Sequence, residues 1–296
     1  MIRALFFVFA ALFASGPFAP AAAQPFATPD PGKLKLASAN AIIIDAADGT
    51  PVYSKAADEV TPIASLTKLM TAMVTLDAGL PLDEPVAVDV GDLDYIKGTR
   101  SRLGMGVELP RREMLRLALM ASENRASSAL ARHYPGGTAA FVAAMNDKAV
   151  ALGMRRTRFA DATGLSADNV STANDLARMV AAASQYPLIR EYSTTASYFV
   201  EVQPSGRMLG FNNSNALVRD ERAGWDIVLS KTGYIREAGK CLVMLANIGS
   251  RPFVIVLLDS IGRYTRLGDA QRVRHWLETG EGLPVKASSG SGSSRP

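Results

Sequence analysis

Histidine and cysteine are nearly missing. The 296 residues contain two histidines, His133 and His275, and one cysteine, Cys241. One cysteine cannot close an internal disulfide, and its setting before Leu242-Val243-Met244-Leu245 reads as a small hydrophobe in a buried strand. The histidines stand far apart, with no HExxH spacing and no cysteine cluster. That argues against a metal site of the zinc type and leaves few candidates for a histidine base. The G-x-S-x-G nucleophile elbow is absent too. Charge of one sign is also lacking, with 32 basic and 28 acidic residues and no like-charge run. A net +4 spread in this way does not suit a nucleic-acid binder, which needs a concentrated basic face. The pI of about 9.2 is compatible with work near an anionic polymer. Beyond the N-terminus no apolar stretch approaches the roughly 20 residues that span a bilayer.

That N-terminus has the pattern of an export signal. Arg3 precedes an apolar run from Ala4 to Ala14, broken by Ser15, Gly16 and Pro17, and Ala21-Ala22-Ala23 supplies small residues for cleavage. Residues 1–23 are expected to be removed, which leaves no stable membrane anchor. An extended Pro-rich segment, 24–36, would lead into a domain over 37–282. The Ser/Gly-rich 283–296 is expected to be a disordered tail.

Within the domain, Ala37 to Lys55 predicts a β-hairpin around Asp48-Gly49. Apolar spacing from Leu66 to Leu76 predicts a helix beginning at Ser65 and stopped by Gly79. Helical spacing continues at 112–120, 124–133, 138–152 and 174–184. Strand character returns at 225–230, 239–248 and 252–259, before a final helix over about 265–279. Strands at both ends enclosing helices predict an α/β (α+β) fold: one sheet built from distant segments, a helical lobe over about 90–190, and a cleft between them.

Three short motifs carry the chemistry. Ser65-Leu66-Thr67-Lys68 is an S-x-x-K, whose i and i+3 positions share a helix face. A serine is a weak nucleophile until a base takes its proton, and a lysine becomes such a base only when desolvated or crowded by other cations. Helix-terminal potential and a nearby Lys231 would both act on Lys68 in that sense. Ser122-Glu123-Asn124 is an S-x-N, with Ser122 suited to pass a proton and Asn124 to bond the lysine or a substrate amide. Lys231-Thr232-Gly233 is a K-T-G at the end of an apolar strand. Lys231 would add charge there and Thr232 a hydroxyl for a carboxylate, while Gly233 would let a substrate backbone come close. Each motif alone has a plainer reading: a helix cap with a solvated lysine, a helix boundary, and a basic residue entering a turn. Their joint order and context favour the catalytic one.

The set resembles that of penicillin-binding proteins and related β-lactamases. Ala64 to Ala72, Ala121 to Ala126, His133-Tyr134-Pro135-Gly136-Gly137, Thr163-Gly164-Leu165-Ser166 and Leu229 to Gly233 are similar to low-molecular-mass serine D-alanyl-D-alanine peptidases. The HYPGG segment, Phe211-Asn212-Asn213-Ser214-Asn215 and the cysteine after K-T-G resemble the short periplasmic D-alanyl-D-alanine endopeptidase branch. The resemblance implies a β-lactamase/transpeptidase-like fold, with a five-stranded antiparallel sheet, flanking helices and an inserted helical lobe. It implies Ser65 as acyl-ester nucleophile, Lys68 as base and Ser122 as proton shuttle. Asn124, Lys231, Thr232 and Gly233 would bind substrate, and the backbone N–H groups of Ser65 and Tyr234 would form the oxyanion hole. Implied partners are peptidoglycan stem peptides and cross-links, with β-lactams as covalent inhibitors. No cofactor is implied.

Longer carboxypeptidase relatives carry a further C-terminal β-domain and an amphipathic helix, whereas only residues 281–296 follow Gly280 here. Such relatives also hold the terminal carboxylate with an arginine. Arg263 and Arg266 stand nearby but take no assigned role, and the lack of a dedicated anchor favours an endopeptidase over a carboxypeptidase. A class A β-lactamase would need a carboxylate for deacylation, yet Glu191, Glu201 and Glu221 show no Glu-x-x-x-Asn arrangement. A non-catalytic binder of stem peptides fits poorly with seven chemically intact motif positions.

Overall fold

The structure is a computed structural model and describes residues 29–262 and 264–285. The expected signal sequence, most of the Ser/Gly tail and Arg263 lie outside the described residues.

In chain order, the hairpin β1 (Asn40–Asp45) and β2 (Pro51–Lys55) is followed by the two-residue strand β3 (Thr61–Pro62) and helix α1 (Lys68–Asp77). Short strands β4 (Pro85–Ala87) and β5 (Glu108–Pro110) pair with one another and frame a long loop. Helices α2 (Arg111–Met120), α3 (Asn124–Arg132) and α4 (Gly137–Ala151) form the lobe. Strand β6 (Val170–Ser171) pairs with β3, and α5 (Ala173–Ala183) and α6 (Pro187–Ser193) return the chain to the sheet. A hairpin, β7 (Ser197–Val202) and β8 (Arg207–Asn212), precedes the short α7 (Ala216–Arg219). The chain closes with β9 (Asp226–Ile235), β10 (Gly239–Ile248), β11 (Arg251–Ser260) and α8 (Thr265–Thr279).

The main sheet has five strands in the order β2-β1-β11-β10-β9, antiparallel throughout. Both of its faces are covered, which is why its central strands are unbroken apolar runs. Alternation still sorts the side chains. Ile42, Val243, Val254, Val256 and Leu258 face the core shared with the helical lobe. Ile43, Leu242, Met244, Ile255 and Leu257 face Ala270, Val273 and Trp276 of α8. Leu34 and Leu36 also pack on the α8 side, so the Pro-rich lead is docked from Asp30 onward, where its carbonyl accepts from Trp276 Nε1 at 3.0 Å. Asp269 pins the same junction by accepting from Ser38 N and Oγ at 2.7 and 2.6 Å.

Strand β9 is an edge strand, and its free side faces the lobe. The expected strand over 225–230 continues through K-T-G to Ile235, so Lys231, Thr232 and Gly233 sit within the edge strand and not at its end. The lobe helices fall close to their predicted spans. Helix α1 does not start at Ser65: a 3-10 turn, Ala64–Thr67, carries the serine, and the α-helix begins at Lys68. Among the described residues no helix is long and apolar enough to cross a membrane.

Candidate active site

The three motifs meet where the 3-10 turn, the α2–α3 junction and the β9 edge converge. Two of their residues are placed by unusual backbone. Ala64, next to Ser65, has φ 51°, and Ser122 has φ 59°. Left-handed conformations at non-glycine residues cost free energy and persist where surrounding packing fixes them.

Lys68 is fully buried, and its Nζ donates to Ser65 Oγ at 3.0 Å, Asn124 Oδ1 at 2.8 Å and Thr163 O at 2.5 Å. Burial lowers its pKa from 10.5 to about 8, against the opposing pull of Asp161, Glu123 and Asp94. Desolvation, one of the causes expected from the sequence, is the main one, and neither helix potential nor Lys231 is needed for the shift. Lys231 is equally buried, and its pKa lies well below the ordinary lysine value because of burial first, then the charges of Lys68 and Arg266. Its Nζ donates to Ser122 Oγ at 2.9 Å and Thr232 O at 3.0 Å. Two lysine–serine pairs therefore face one cleft. Asn124 bonds the lysine, the first of the two roles open to it, and its Nδ2 donates to Thr99 Oγ1 at 2.9 Å.

A cavity of about 410 Å³ contains Ser65, Ser122, Asn124, Thr232, Tyr234 and Arg266 among its lining residues. Gly233 lines it too, but its missing side chain serves another purpose than the one expected. A Cβ there would lie 2.9 Å from Ile63 O and 3.2 Å from Ala64 Cβ. Gly233 thus lets β9 close onto the Ser65 turn, and that packing, more than a substrate, needs the glycine.

Four residues join the site that sequence reasoning left without a role. Arg266, from the first turn of α8, donates to Gly233 O at 3.0 Å, and its Nε is buried without a partner. The cleft therefore does contain a guanidinium beside Thr232, contrary to the expected lack of a dedicated carboxylate anchor. Ser214 accepts from Thr232 Oγ1 at 2.7 Å and is tied to α2 through its N–H to Met120 O. Asp161 binds the loop under Lys68, with one oxygen accepting from Thr163 N, Thr163 Oγ1 and Gly164 N and the other from Ser166 N. Asn169 is fully buried and ties that loop to Thr67 Oγ1 at 3.0 Å. An isolated polar residue in a loop gives no sequence signal of such a task. Ser214 lies in the Phe211–Asn215 stretch and Arg266 was noted without a role, whereas Asp161 and Asn169 carry no such mark. Cys241 is buried opposite Gly233, with its thiol pKa pushed up to about 11 by burial, and is no nucleophile.

A family model described as D-alanyl-D-alanine carboxypeptidase, peptidase family S11, matches residues 24–262. The chain belongs to this family. Among its S11 relatives, the D-alanyl-D-alanine endopeptidase of Escherichia coli K12 is 48% identical, over 94% of this chain and 89% of that protein. The D-alanyl-D-alanine endopeptidase of Pseudomonas aeruginosa is 49% identical, over 87% and 82%. The crystal structure of the Streptomyces K15 DD-transpeptidase superposes with a TM-score of 0.76 at 28% identity, over 83% of this chain and 98% of that one. Penicillin-binding protein D2 of Listeria monocytogenes, in its ampicillin-bound form, gives 0.69 at 28%, over 82% and 98%. This S11 chain is a serine D-Ala-D-Ala peptidase with the penicillin-binding fold.

Proposed function

We propose that this peptidase is an endopeptidase that hydrolyses D-alanyl cross-links of peptidoglycan, with Ser65 as nucleophile and Lys68 as its base. The observation that carries the mechanism is Lys68 Nζ at 3.0 Å from Ser65 Oγ, buried and with a lowered pKa. A stem peptide docks extended along β9, whose edge leaves backbone groups open to an added strand. The scissile carbonyl points its oxygen at the N–H groups of Ser65 and Tyr234. Neutral Lys68 takes the Ser65 proton as Oγ attacks. The proton passes from Lys68 to the leaving nitrogen through Ser122, which is bonded to Lys231, and an acyl-enzyme with neutral Lys68 remains. Water then attacks the ester by the same groups.

The leaving-side carboxylate falls to Thr232 and Arg266. A cross-link whose leaving amine sits on a carbon with a free carboxylate offers them the same group as a terminal D-alanine. The preference for cross-links therefore leans on the relatives named as endopeptidases, and carboxypeptidase action is the alternative. β-Lactamase action is disfavoured because the carboxylates near Lys68 are committed. Asp161 has four donors, Asp94 accepts from the N–H groups of Ile96, Lys97 and Thr99, and Glu123 accepts from Ser101. A penicillin should therefore acylate Ser65 and leave slowly. The N-terminal segment would export the enzyme to the periplasm, with cleavage after Ala23.

Purified enzyme incubated with cross-linked dimers and monomeric pentapeptides should convert dimers to monomers and spare pentapeptides. The reverse pattern would make it a carboxypeptidase. Ser65→Ala is expected to abolish labelling by a fluorescent penicillin on denaturing gels, and persistent labelling would move the nucleophile elsewhere. Arg266→Leu should lower kcat/KM about 10- to 100-fold, mainly through KM, because a charge-assisted bond to a carboxylate contributes about 1.5–3 kcal/mol. An unchanged KM would remove Arg266 from the carboxylate site.

A further inference from the structure

On the far side of Ser122 and Asn124 from Arg266, the cleft opens into a second cavity of about 250 Å³. Arg100, Arg102, Glu123, Phe211 and Asn212 contribute to its walls. Its two arginines come from the loop between β4 and β5, and Phe211 and Asn212 from the end of β8. Arg102 donates to Gly210 O and holds its guanidinium carbon 5.6 Å from the centre of the Phe211 ring. These two contacts hold the guanidinium in place while leaving other N–H groups to the cavity. Among the described residues neither Arg100 nor Arg102 enters an ion pair, and both are exposed.

Glu123 is the one acid in these walls. Its carboxyl is buried and accepts from Ser101 Oγ, burial raises its pKa, and among the described residues it forms no ion pair with Arg100 or Arg102. The loop is itself fastened to the catalytic junction. Thr99 accepts from Asn124, Ser101 donates to Glu123, and Leu103 O accepts from Arg125 Nη1 at 2.6 Å. Positive charge is thus held in a fixed place against two motif residues, with Glu123 as the one carboxyl in the same walls.

We propose that this cavity is a second carboxylate subsite, which takes a free carboxylate on the acyl-donating stem, the part of the substrate that stays on Ser65 when the D-alanyl bond breaks. The direction follows from the order of groups along the cleft. A substrate with its leaving side at Thr232 and Arg266 and its carbonyl at Ser65 continues past Ser122 and Asn124, and the next cationic groups it meets are Arg100 and Arg102. The diamino acid and the acidic residue of a stem peptide are the carboxylate bearers on that side. The inference rests on the peptidase reading but not on the preference for cross-links.

The test uses the Arg100→Gln, Arg102→Gln double variant and wild type, each counted by active-site titration with a fluorescent penicillin. Pentapeptides and cross-linked dimers are supplied in two forms, with the diamino acid carboxylate free or amidated. Wild type should prefer the free form by about tenfold or more in kcat/KM, and the double variant should lose that preference by weakening on the free form alone. Equal loss on both forms, or no loss on either, overturns the subsite. If pentapeptides are cleaved and dimers are not, the endopeptidase reading fails, while the free-to-amidated ratio still decides the subsite.

Discussion

Lys68→Met should slow acylation of Ser65 by about 10²- to 10⁴-fold, the range that a positioned general base contributes. Methionine keeps the unbranched apolar stem and removes only the amine. The fold is checked by circular dichroism, and the rate by stopped-flow labelling with a fluorescent penicillin. In the wild type the same assignment fixes a pH profile. The working form of Lys68 is the neutral amine, and its pKa of about 8 leaves it mostly protonated at pH 7. The acylation rate should rise about tenfold per pH unit below 8 and level off above it. A flat profile from pH 6 to 9 would sink the assignment of Lys68 as base. Stability should carry the same signature. Between about 8 and 10.5 the unfolded chain holds a proton on this lysine that the folded one has released. Unfolding free energy therefore rises with pH across that window, because the unfolded state binds more protons there. Below pH 8 the cost of the buried cation is fully present.

Much of this was legible in the sequence, for a physical reason. Helices α2 to α5 and strands β10 and β11 are long, periodic and closed by clear breakers, so local pattern and tertiary packing agree. The motif residues were legible because a serine, a lysine and an asparagine at fixed short spacings have few shared explanations. Other features depend on contacts between distant segments. Strand β9 runs on through K-T-G because β10 pairs with it as far as Ile235, a register that no local signal encodes. Ser65 sits in a 3-10 turn instead of an α-helix because Ala64 adopts a left-handed backbone. Arg266 stood nearby in sequence without a role, and only the packing of α8 against the sheet brings it to Gly233. The β7–β8 hairpin gives little sequence signal because half of its strand residues are exposed and its apolar alternation is weak.

Gly164→Ala should damage catalysis as severely as loss of a motif residue, although Gly164 has no chemistry of its own. Its φ is 79°, a region where a side chain costs about 1–2 kcal/mol. Strain is the smaller part. A Cβ there would stand 2.0 Å from Ala64 O and 2.8 Å from Ser65 N. Those atoms are backbone, so no rotamer change relieves the clash. The loop cannot easily retreat, because Asp161 holds Gly164 N at 2.6 Å and Thr163 O accepts from Lys68 at 2.5 Å. The Ser65 turn must give way instead, taking Ser65 Oγ and the Ser65 N–H, the proposed oxyanion-hole donor, with it. A displacement of about 1 Å costs on the order of 10²-fold in rate. Acylation per folded molecule should therefore fall at least about 100-fold, together with a lower melting temperature. Gly233→Ala sets the scale: its Cβ would reach 2.9 Å from Ile63 O, a much milder approach than 2.0 Å, at a position with no left-handed backbone to strain. Its loss should be smaller in both rate and melting temperature. If Gly164→Ala acylates at the wild-type rate, then the 161–166 loop yields before the turn does, and the rigidity assigned to Asp161 is wrong.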